Sequence, residues 1–223
     1  MYSNFTIERE NAIEEIKKLY LSVENEIRSR LNKFNRIWKT GKEEEIFAEL
    51  IFCILTPQSK AKSCWAAVEN LLNKNVLLKG NKNQLVRELN EVRFKYKKAK
   101  YIIEARKQFS IDGKVSIKSK IGQFSDAYDT REWLIQNVKG IGYKEASHFL
   151  RNIGFGEDLA ILDRHILKNL KLLGVIERIP SSLSKRRYFE IEKKMKEFAT
   201  KVNIPMSRLD LVLWYKETGE IFK

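Results

Sequence analysis

Residues 133–173 read WLIQNVKGIGYKEASHFLRNIGFGEDLAILDRHILKNLKLL and contain the pattern that decides the fold. We expect one helix to end near Val138, a tight turn to form at Gly140-Ile141-Gly142, and a second helix to start around Tyr143. Glycines permit positive φ and keep side chains out of such a turn, so the backbone N–H groups of the turn and of the following helix point outward together. The segment therefore predicts a helical hairpin with an anion site at the start of its second helix.

Apolar residues recur at helical spacing along most of the remaining chain. Residues 13–34 predict one amphipathic helix or two, and the nearly all-apolar run from Glu45 to Leu55 predicts a central core helix that Pro57 ends. Further helices are expected within 60–72, 85–89, 101–109, 133–138, 146–150, 166–173, 184–202 and 209–215. No stretch alternates clearly enough to predict a sheet, so we predict an all-α protein with many short helices.

The charge of the chain narrows the class of partner. Its 223 residues include 43 Lys plus Arg against 29 Asp plus Glu, a net charge of +14. This excess favours a polyanion, nucleic acid first and a membrane surface second, although a generally charged soluble protein is the alternative. No stretch approaches the ~20 apolar residues of a membrane span, and the polar start of the chain is unlike a secretory signal. On a basic protein, the anion at the hairpin is expected to be a DNA phosphate.

Two side chains near the hairpin are candidates for chemistry. Lys144 lies in the first turn of the second helix, against the helix dipole. It is either a solvated surface lysine or an amine that the positive helix end keeps neutral and nucleophilic. Asp163 directly precedes an apolar helical run and is expected to be its N-cap. Capping would fix this carboxylate in place and still allow it to face a cleft.

The stretch RFKYKKAKYIIEARK, residues 93–107, is the most basic part of the chain. As a functional feature, it is a basic face with aromatic rings available to a nucleic-acid backbone or base. As a structural feature, Tyr101, Ile102 and Ala105 form a buried stripe and the lysines only keep the opposite face in water. Both interpretations stay open at this point.

The combination of Lys139-Gly140-Ile141-Gly142-Tyr143-Lys144 with Ile161-Leu162-Asp163-Arg164-His165 resembles the helix-hairpin-helix base-excision DNA glycosylase superfamily. The segments LTPQSKA (55–61) and RFKYKKAK (93–100) are similar to further segments of that superfamily. The C-terminal LDLVLWYKETGEIFK (209–223) resembles the archaeal-type 8-oxoguanine DNA glycosylase/AP lyases, which also occur in some bacteria. The resemblance covers roughly residues 46–173 and is made specific by the Lys/Asp pair.

The resemblance implies a helix-hairpin-helix glycosylase fold with two helical subdomains flanking a cleft. One subdomain would comprise residues 46–151 and end in the hairpin at 139–144. The other would be discontinuous, formed by residues 1–45 and 152–223. The implied activity is excision of 8-oxoguanine from duplex DNA through a lysine Schiff base, followed by β-elimination that breaks the strand.

The resemblance also implies a role for each candidate residue. Lys144 would be the nucleophile, and Asp163 would stabilise the positive charge that develops on the sugar. The other implied residues bind DNA or the damaged base: Lys139, Gly140, Ile141 and Gly142 for the DNA backbone, Gln58 for the gap left by the flipped base, and Trp214, Asp210 and Lys223 for base recognition. We expect no metal and no cofactor.

Two alternatives remain. One is an endonuclease III-like glycosylase for oxidised pyrimidines, and the other is a non-catalytic helix-hairpin-helix DNA-binding module. Cys53 and Cys64 are the only two cysteines, too few for the four-thiolate iron–sulfur cluster expected in most relatives of the first kind. We therefore expect the 8-oxoguanine branch, acting as a monomer without an iron–sulfur cluster, away from membranes, in the nucleoid of a prokaryotic cytoplasm.

Overall fold

The structure is a computed structural model that describes the backbone of residues 2–223 and the side chains of residues 7–223. Its elements, in chain order, are α1 (Tyr2–Thr40), α2 (Glu43–Leu55), α3 (Ala61–Asn73), α4 (Val76–Lys79), α5 (Lys82–Glu88), α6 (Lys95–Phe109), β1 (Ser110–Ile111), β2 (Lys114–Val115), α7 (Ile117–Ile121), α8 (Ala127–Asn137), α9 (Tyr143–Asn152), α10 (Arg164–Leu172), α11 (Lys185–Val202) and α12 (Met206–Thr218). The helical content confirms the predicted fold class.

The chain divides into two compact units. One unit comprises residues 34–155, and the other comprises the residues up to Lys33 together with 156–223. The sequence placed its boundaries at 46 and 151, and that division into subdomains stays a prediction. Among the described residues, no helix is both long enough and apolar enough to cross a membrane.

Helix α2 forms the centre of the 34–155 unit. Its first turn carries Glu43, Glu44 and Glu45, which suit the positive end of a helix. Every residue from Ile46 to Leu55 is buried, and α3, α6, α7 and α9 all pack against the helix. A helix that is apolar on nearly all sides requires such surroundings, and its predicted central position is confirmed.

In the other unit, α12 packs against both α10 and α11. The segment that leads into α10 is buried from Leu159 to Leu162. Helix α11 holds this segment at Ala160, whose N–H donates to the Glu192 carboxylate at 2.8 Å. The Tyr188 hydroxyl donates in turn to the Ala160 carbonyl at 2.6 Å. These bonds fix the chain just before Asp163.

The prediction that the chain contains no sheet is wrong for one short stretch. Strands β1 and β2 pair antiparallel, with Ser110 opposite Val115 and Ile111 opposite Lys114. Asp112 and Gly113 connect them, and both have positive φ, 49° and 76°, as a two-residue Asp-Gly hairpin requires. Strands of 2 residues each are too short to show an alternating pattern.

Several helices differ from their predicted extents, among them α1, α6 and α8; α6 begins at Lys95 rather than near Tyr101. The apolar pattern near the N-terminus forms a single helix, α1, of 39 residues. Helix α8 begins well before Trp133, at Ala127, because the Asp126 side chain accepts hydrogen bonds from the N–H groups of Tyr128 and Asp129. A capping aspartate of this kind satisfies N–H groups that have no partner within the helix.

Replacing Tyr188 by phenylalanine tests how the segment before Asp163 is held. Tyr188→Phe leaves the buried Ala160 carbonyl without its hydroxyl donor, and we expect a loss of about 1–3 kcal/mol in the free energy of unfolding. Urea unfolding measures it. The matched control is Tyr96→Phe, because Tyr96 is 66% exposed and its substitution is expected to change stability by less than about 0.5 kcal/mol. Equal stability of the two variants would contradict the role assigned to Tyr188.

Candidate active site

The predicted hairpin lies between α8, which ends at Asn137, and α9, which begins at Tyr143. Gly140 has φ +86°, and a Cβ at this position would lie 2.6 Å from the Tyr101 ring. Both the backbone conformation and the close ring therefore require glycine. Ile141 is buried and anchors the turn, whereas Lys139 and Gly140 are exposed.

Gly142 is the N-cap of α9, and its N–H is already engaged within the hairpin. The Glu145 carboxylate accepts a hydrogen bond from the Gly142 N–H at 3.2 Å. This contact places a negative charge at the start of α9, where the helix dipole favours it. The exposed surface of the turn available to an anion is consequently centred on Lys139 and Gly140.

Lys144 is half-buried rather than a solvated surface lysine. Its side chain is 24% exposed, and its Nζ lies 3.1 Å from Glu145 Oε1. The same Nζ donates to Thr56 Oγ1 at 3.3 Å. Neither Thr56 nor Glu145 was among the predicted site residues. Glu145 directly follows Lys144 in the sequence, so its proximity has a local cause. Thr56 belongs to the segment LTPQSKA, and only the fold brings it close to Lys144.

Gln58, the predicted gap-filling residue, lies in the turn that follows α2. It is exposed and has φ +56°, an uncommon conformation for a residue other than glycine. The turn is closed by the Ser59 N–H, which donates to the Thr56 carbonyl at 3.0 Å. One short turn thus carries both Gln58 and the hydrogen-bond partner of Lys144.

The basic stretch 93–107 agrees fully with neither interpretation of its lysines. Ile102 and Ala105 are buried as expected, and Tyr101 is half-buried. Lys98, however, is 4% exposed, so the expectation that all these lysines keep a face in water is wrong. Arg106 also turns inward, and its guanidinium donates to the carbonyls of Gly80 and Val76. The remaining basic residues of this stretch are partly or fully exposed.

Asp163 belongs to the other unit, where its predicted capping role is confirmed. Its Oδ1 accepts hydrogen bonds from the N–H groups of His165 and Ile166, both at 2.8 Å. The residue is half-buried at the start of α10. The cap therefore holds a carboxylate in a fixed position at a helix end.

Trp214, on α12, contacts His165, which lies two residues after Asp163. Its ring meets the His165 ring edge to face, with the centroids 5.3 Å apart. Trp214 is half-buried, and its Nε1 is buried with no hydrogen-bond partner among the described residues. Of the other predicted base-recognition residues, Asp210 is buried on the same helix and Lys223 is half-buried.

Glu217 joins α12 to α10 beside this tryptophan. Its carboxylate accepts from Lys168 Nζ at 2.8 Å and from Asn169 Nδ2 at 3.0 Å, and lies 3.6 Å from His165 Nδ1. Hydrogen bonds from Lys168 lower the pKa of Glu217 below its ordinary value, against the opposing effect of burial. The carboxylate is therefore the charged centre that holds this end of the two helices together.

Residues 9–204 match the family model of 8-oxoguanine DNA glycosylase, Ogg-HhH. The chain is 48% identical to the 8-oxoguanine DNA glycosylase/AP lyase of Fusobacterium nucleatum, over 94% of this chain and 96% of that protein. It is similar to the crystal structure of Thermotoga maritima 8-oxoguanine DNA glycosylase, with 34% identity, a TM-score of 0.85, and coverage of 96% and 100% of the two chains.

A third comparison is with the crystal structure of Methanocaldococcus jannaschii 8-oxoguanine glycosylase/lyase in complex with a 15mer DNA containing 8-oxoguanine. The TM-score is 0.86 at 37% identity, over 95% of this chain and 99% of that one. The helical fold and the hairpin with its half-buried lysine define a helix-hairpin-helix protein of the DNA glycosylase class. More particularly, the chain belongs to the 8-oxoguanine DNA glycosylase family.

Acid unfolding tests the role of Glu217. Because its pKa is lowered in the folded state, its contribution to stability is complete above the ordinary glutamate pKa of ~4.3 and is lost as the pH falls through the lower, folded value. Glu217→Gln removes this dependence. We expect wild-type stability to fall more steeply than that of the variant between about pH 5 and pH 3, measured by denaturant unfolding.

The matched control for that comparison is Glu177→Gln, in the same unit. Glu177 is exposed, so its replacement is expected to leave the wild-type acid dependence in place. Parallel curves for wild type and Glu217→Gln would contradict the assigned role.

Proposed function

We propose that this protein excises 8-oxoguanine from duplex DNA and then cleaves the strand at the resulting abasic site. The observation that carries the proposal is the half-buried Lys144 at the start of the hairpin helix, with its Nζ held by Thr56 and Glu145. A lysine that serves only solubility has no need of such fixed partners. The choice of 8-oxoguanine as the substrate follows from the family to which the chain belongs and from its 8-oxoguanine DNA glycosylase relatives.

Lys144 is the nucleophile in this proposal. Its neutral amine attacks C1′ of the damaged nucleotide, a bond from Nζ to C1′ forms, and the bond from C1′ to the base breaks as the base leaves with its electron pair. The sugar ring then opens as the C1′–O4′ bond breaks and O4′ takes up the proton that Nζ releases, which leaves a protonated Schiff base at C1′. This Schiff base withdraws electrons, so that loss of a proton from C2′ expels the 3′ phosphate and breaks the strand. Asp163 stabilises the positive charge that develops on the sugar.

The DNA itself is held at two places in the 34–155 unit. The exposed Lys139 and Gly140 of the hairpin bind the phosphate backbone, which positions the duplex without reading its sequence. Ile141 and Gly142 shape the turn beneath them. Gln58 occupies the gap left when the nucleotide is rotated out of the stack, a step that costs a few kcal/mol and is offset by such contacts.

In this proposal, residues of the other unit recognise the damaged base. Trp214 offers a ring face for stacking, and its Nε1, which has no hydrogen-bond partner within residues 7–223, is a further donor. 8-Oxoguanine differs from guanine in carrying a proton on N7, so a selective site needs an acceptor facing that atom. Lys223 is our first candidate for this acceptor, through a main-chain oxygen, because its ammonium group can only donate. The buried Asp210 is the second candidate, as a polar partner.

We further propose that the protein acts as a monomer, without an iron–sulfur cluster, on nucleoid DNA in the cytoplasm of a prokaryotic cell. Its two cysteines, Cys53 and Cys64, are buried, and two thiolates are too few for a four-thiolate cluster. Among the described residues, no group of three or more His, Cys, Asp or Glu side chains is arranged to hold a metal ion. The chemistry proposed for Lys144 requires neither a metal nor an organic cofactor.

Borohydride trapping on an 8-oxoguanine duplex tests the catalytic assignment. Lys144→Gln removes the amine and is expected to abolish the covalent complex while duplex binding remains. The matched control is Lys139→Gln, an exposed lysine of the same hairpin, which is expected to weaken binding but to trap normally at saturating protein. Normal trapping by Lys144→Gln would overturn the proposed role of this lysine.

Asp163→Asn separates the two roles of the aspartate. Asparagine caps a helix about as well as aspartate does, so the variant is expected to fold with α10 intact. It lacks the charge, and we expect a fall of about 100-fold or more in the single-turnover rate of base release. An unchanged rate would show that Asp163 is only a cap.

A lesion panel tests the substrate. We expect faster cleavage of 8-oxoguanine duplexes than of thymine-glycol duplexes, and deletion of Lys223 is expected to reduce base release from the former by about 10-fold or more. Cleavage of a preformed abasic site needs no base recognition and is the internal control. A preference for thymine glycol that survives deletion of Lys223 would instead support an endonuclease III-like enzyme, and binding without any cleavage would support a non-catalytic module.

A further inference from the structure

Lys98 is a buried lysine whose hydrogen bonds all go to one short turn. Its Nζ donates to the Leu55 carbonyl at 2.7 Å, to the Pro57 carbonyl at 2.8 Å and to Ser59 Oγ at 3.1 Å. An ammonium group has three N–H donors, so these three bonds use its full donor capacity. Lys98 therefore ties α6 to the turn between α2 and α3.

The burial of this ammonium is unfavourable on its own. Lys98 is 4% exposed, its three partners are uncharged, and burial lowers its pKa. An apolar side chain of similar length would fill the space without the cost of removing a charge from water. The benefit of a lysine here therefore lies in the groups that it holds.

The turn held by Lys98 is the one that carries the site. Lys98 binds residues 55, 57 and 59, and the residues between them are Thr56 and Gln58. Thr56 Oγ1 accepts the hydrogen bond from Lys144, and Gln58 is exposed with φ +56°. Residues that bind the Lys98 ammonium therefore alternate along the turn with residues that supply groups of the site.

Neighbouring contacts reinforce the same turn. Ser59 Oγ also accepts the Arg93 N–H at 3.0 Å, and Cys64 Sγ donates to the Leu55 carbonyl at 3.1 Å. The positive-φ conformation of Gln58 is costly for a residue with a side chain and persists only where surrounding bonds enforce it. The Lys98 ammonium makes three of those bonds.

We propose that Lys98 is a positioning residue for the excision reaction, which fixes the 55–59 turn so that Thr56 orients Lys144 and Gln58 is presented to the DNA. The proposal rests on the function proposed above. It assigns Lys98 no contact with DNA and no part in proton transfer. Its effect falls on the rate of the chemical step, because small displacements of reacting groups cost large factors in rate.

Lys98→Met is the direct test, measured as the single-turnover rate of 8-oxoguanine release at saturating protein and as the Kd for undamaged duplex. We expect the rate to fall by about 10- to 100-fold and the Kd to change by less than about 3-fold, because the hairpin that binds phosphates is untouched. The matched control is Lys107→Met, an exposed lysine of the same helix, which is expected to keep the wild-type rate. A wild-type rate for Lys98→Met would overturn the proposal.

A double-mutant cycle distinguishes positioning from general stability. In a Thr56→Val, Gln58→Ala background the groups that Lys98 positions are gone, so adding Lys98→Met is expected to cost less than about 3-fold. The same fractional loss in both backgrounds would mean that Lys98 acts elsewhere, and would overturn the proposal. If Lys98→Met fails to fold, Ser59→Ala removes one acceptor alone, and an unchanged rate for that variant would likewise overturn it.

The wild-type protein separates this inference from the proposed function. Wild-type protein that neither releases 8-oxoguanine nor forms a trapped complex would overturn the proposed function and this inference with it. An active wild type with an equally active Lys98→Met variant would overturn the inference alone.

Discussion

Helix α2 is buried from Ile46 to Leu55, and α9 packs against it in the opposite direction. Near the end of α9, Asn152 Nδ2 donates to the buried Glu49 carboxylate at 3.0 Å. At its beginning, Lys144 Nζ donates to Thr56, just past the last residue of α2. The two polar contacts fix α9 along a surface that is otherwise apolar. They place the start of the hairpin helix at the 55–59 turn, and the rest of the site in this unit depends on that placement.

In each of the two units, a backbone segment that precedes a helix is held in place near a proposed site residue, but by different groups. In the 34–155 unit a buried ammonium, Lys98, holds the turn before a helix. In the other unit, side chains of α11 bind the backbone of the segment before α10, and Asp163 caps that helix. In both places a side chain with a structural task binds the backbone within a few residues of a side chain with a proposed role in the reaction. Structural and chemical roles are therefore separated best by substitutions that keep the hydrogen bonds and change the charge.

The parts of the site that the sequence could predict are those with local causes. A Gly-x-Gly turn between helical runs and an aspartate before an apolar run produce a hairpin and a cap through backbone geometry alone. Thr56 and Lys98 could not be found in this way, because their partners lie far away along the chain, across 88 and 43 residues. A basic stretch of sequence predicts exposed lysines. Lys98 is an exception because α6 packs against α2, which the sequence alone does not reveal. The β-hairpin was missed for a different reason, since Asp112 and Gly113 are a local turn signal and the strands beside them are too short to confirm it.

The central claim is that Lys144 forms the covalent bond to DNA, and the most direct measurement is to locate that bond. Wild-type protein is trapped with borohydride on an 8-oxoguanine duplex, digested with protease and nuclease, and mapped by mass spectrometry. The account predicts a single adduct carrying the sugar remnant on Lys144. A sugar adduct on any other lysine, or none with an 8-oxoguanine duplex that the protein binds, would contradict it.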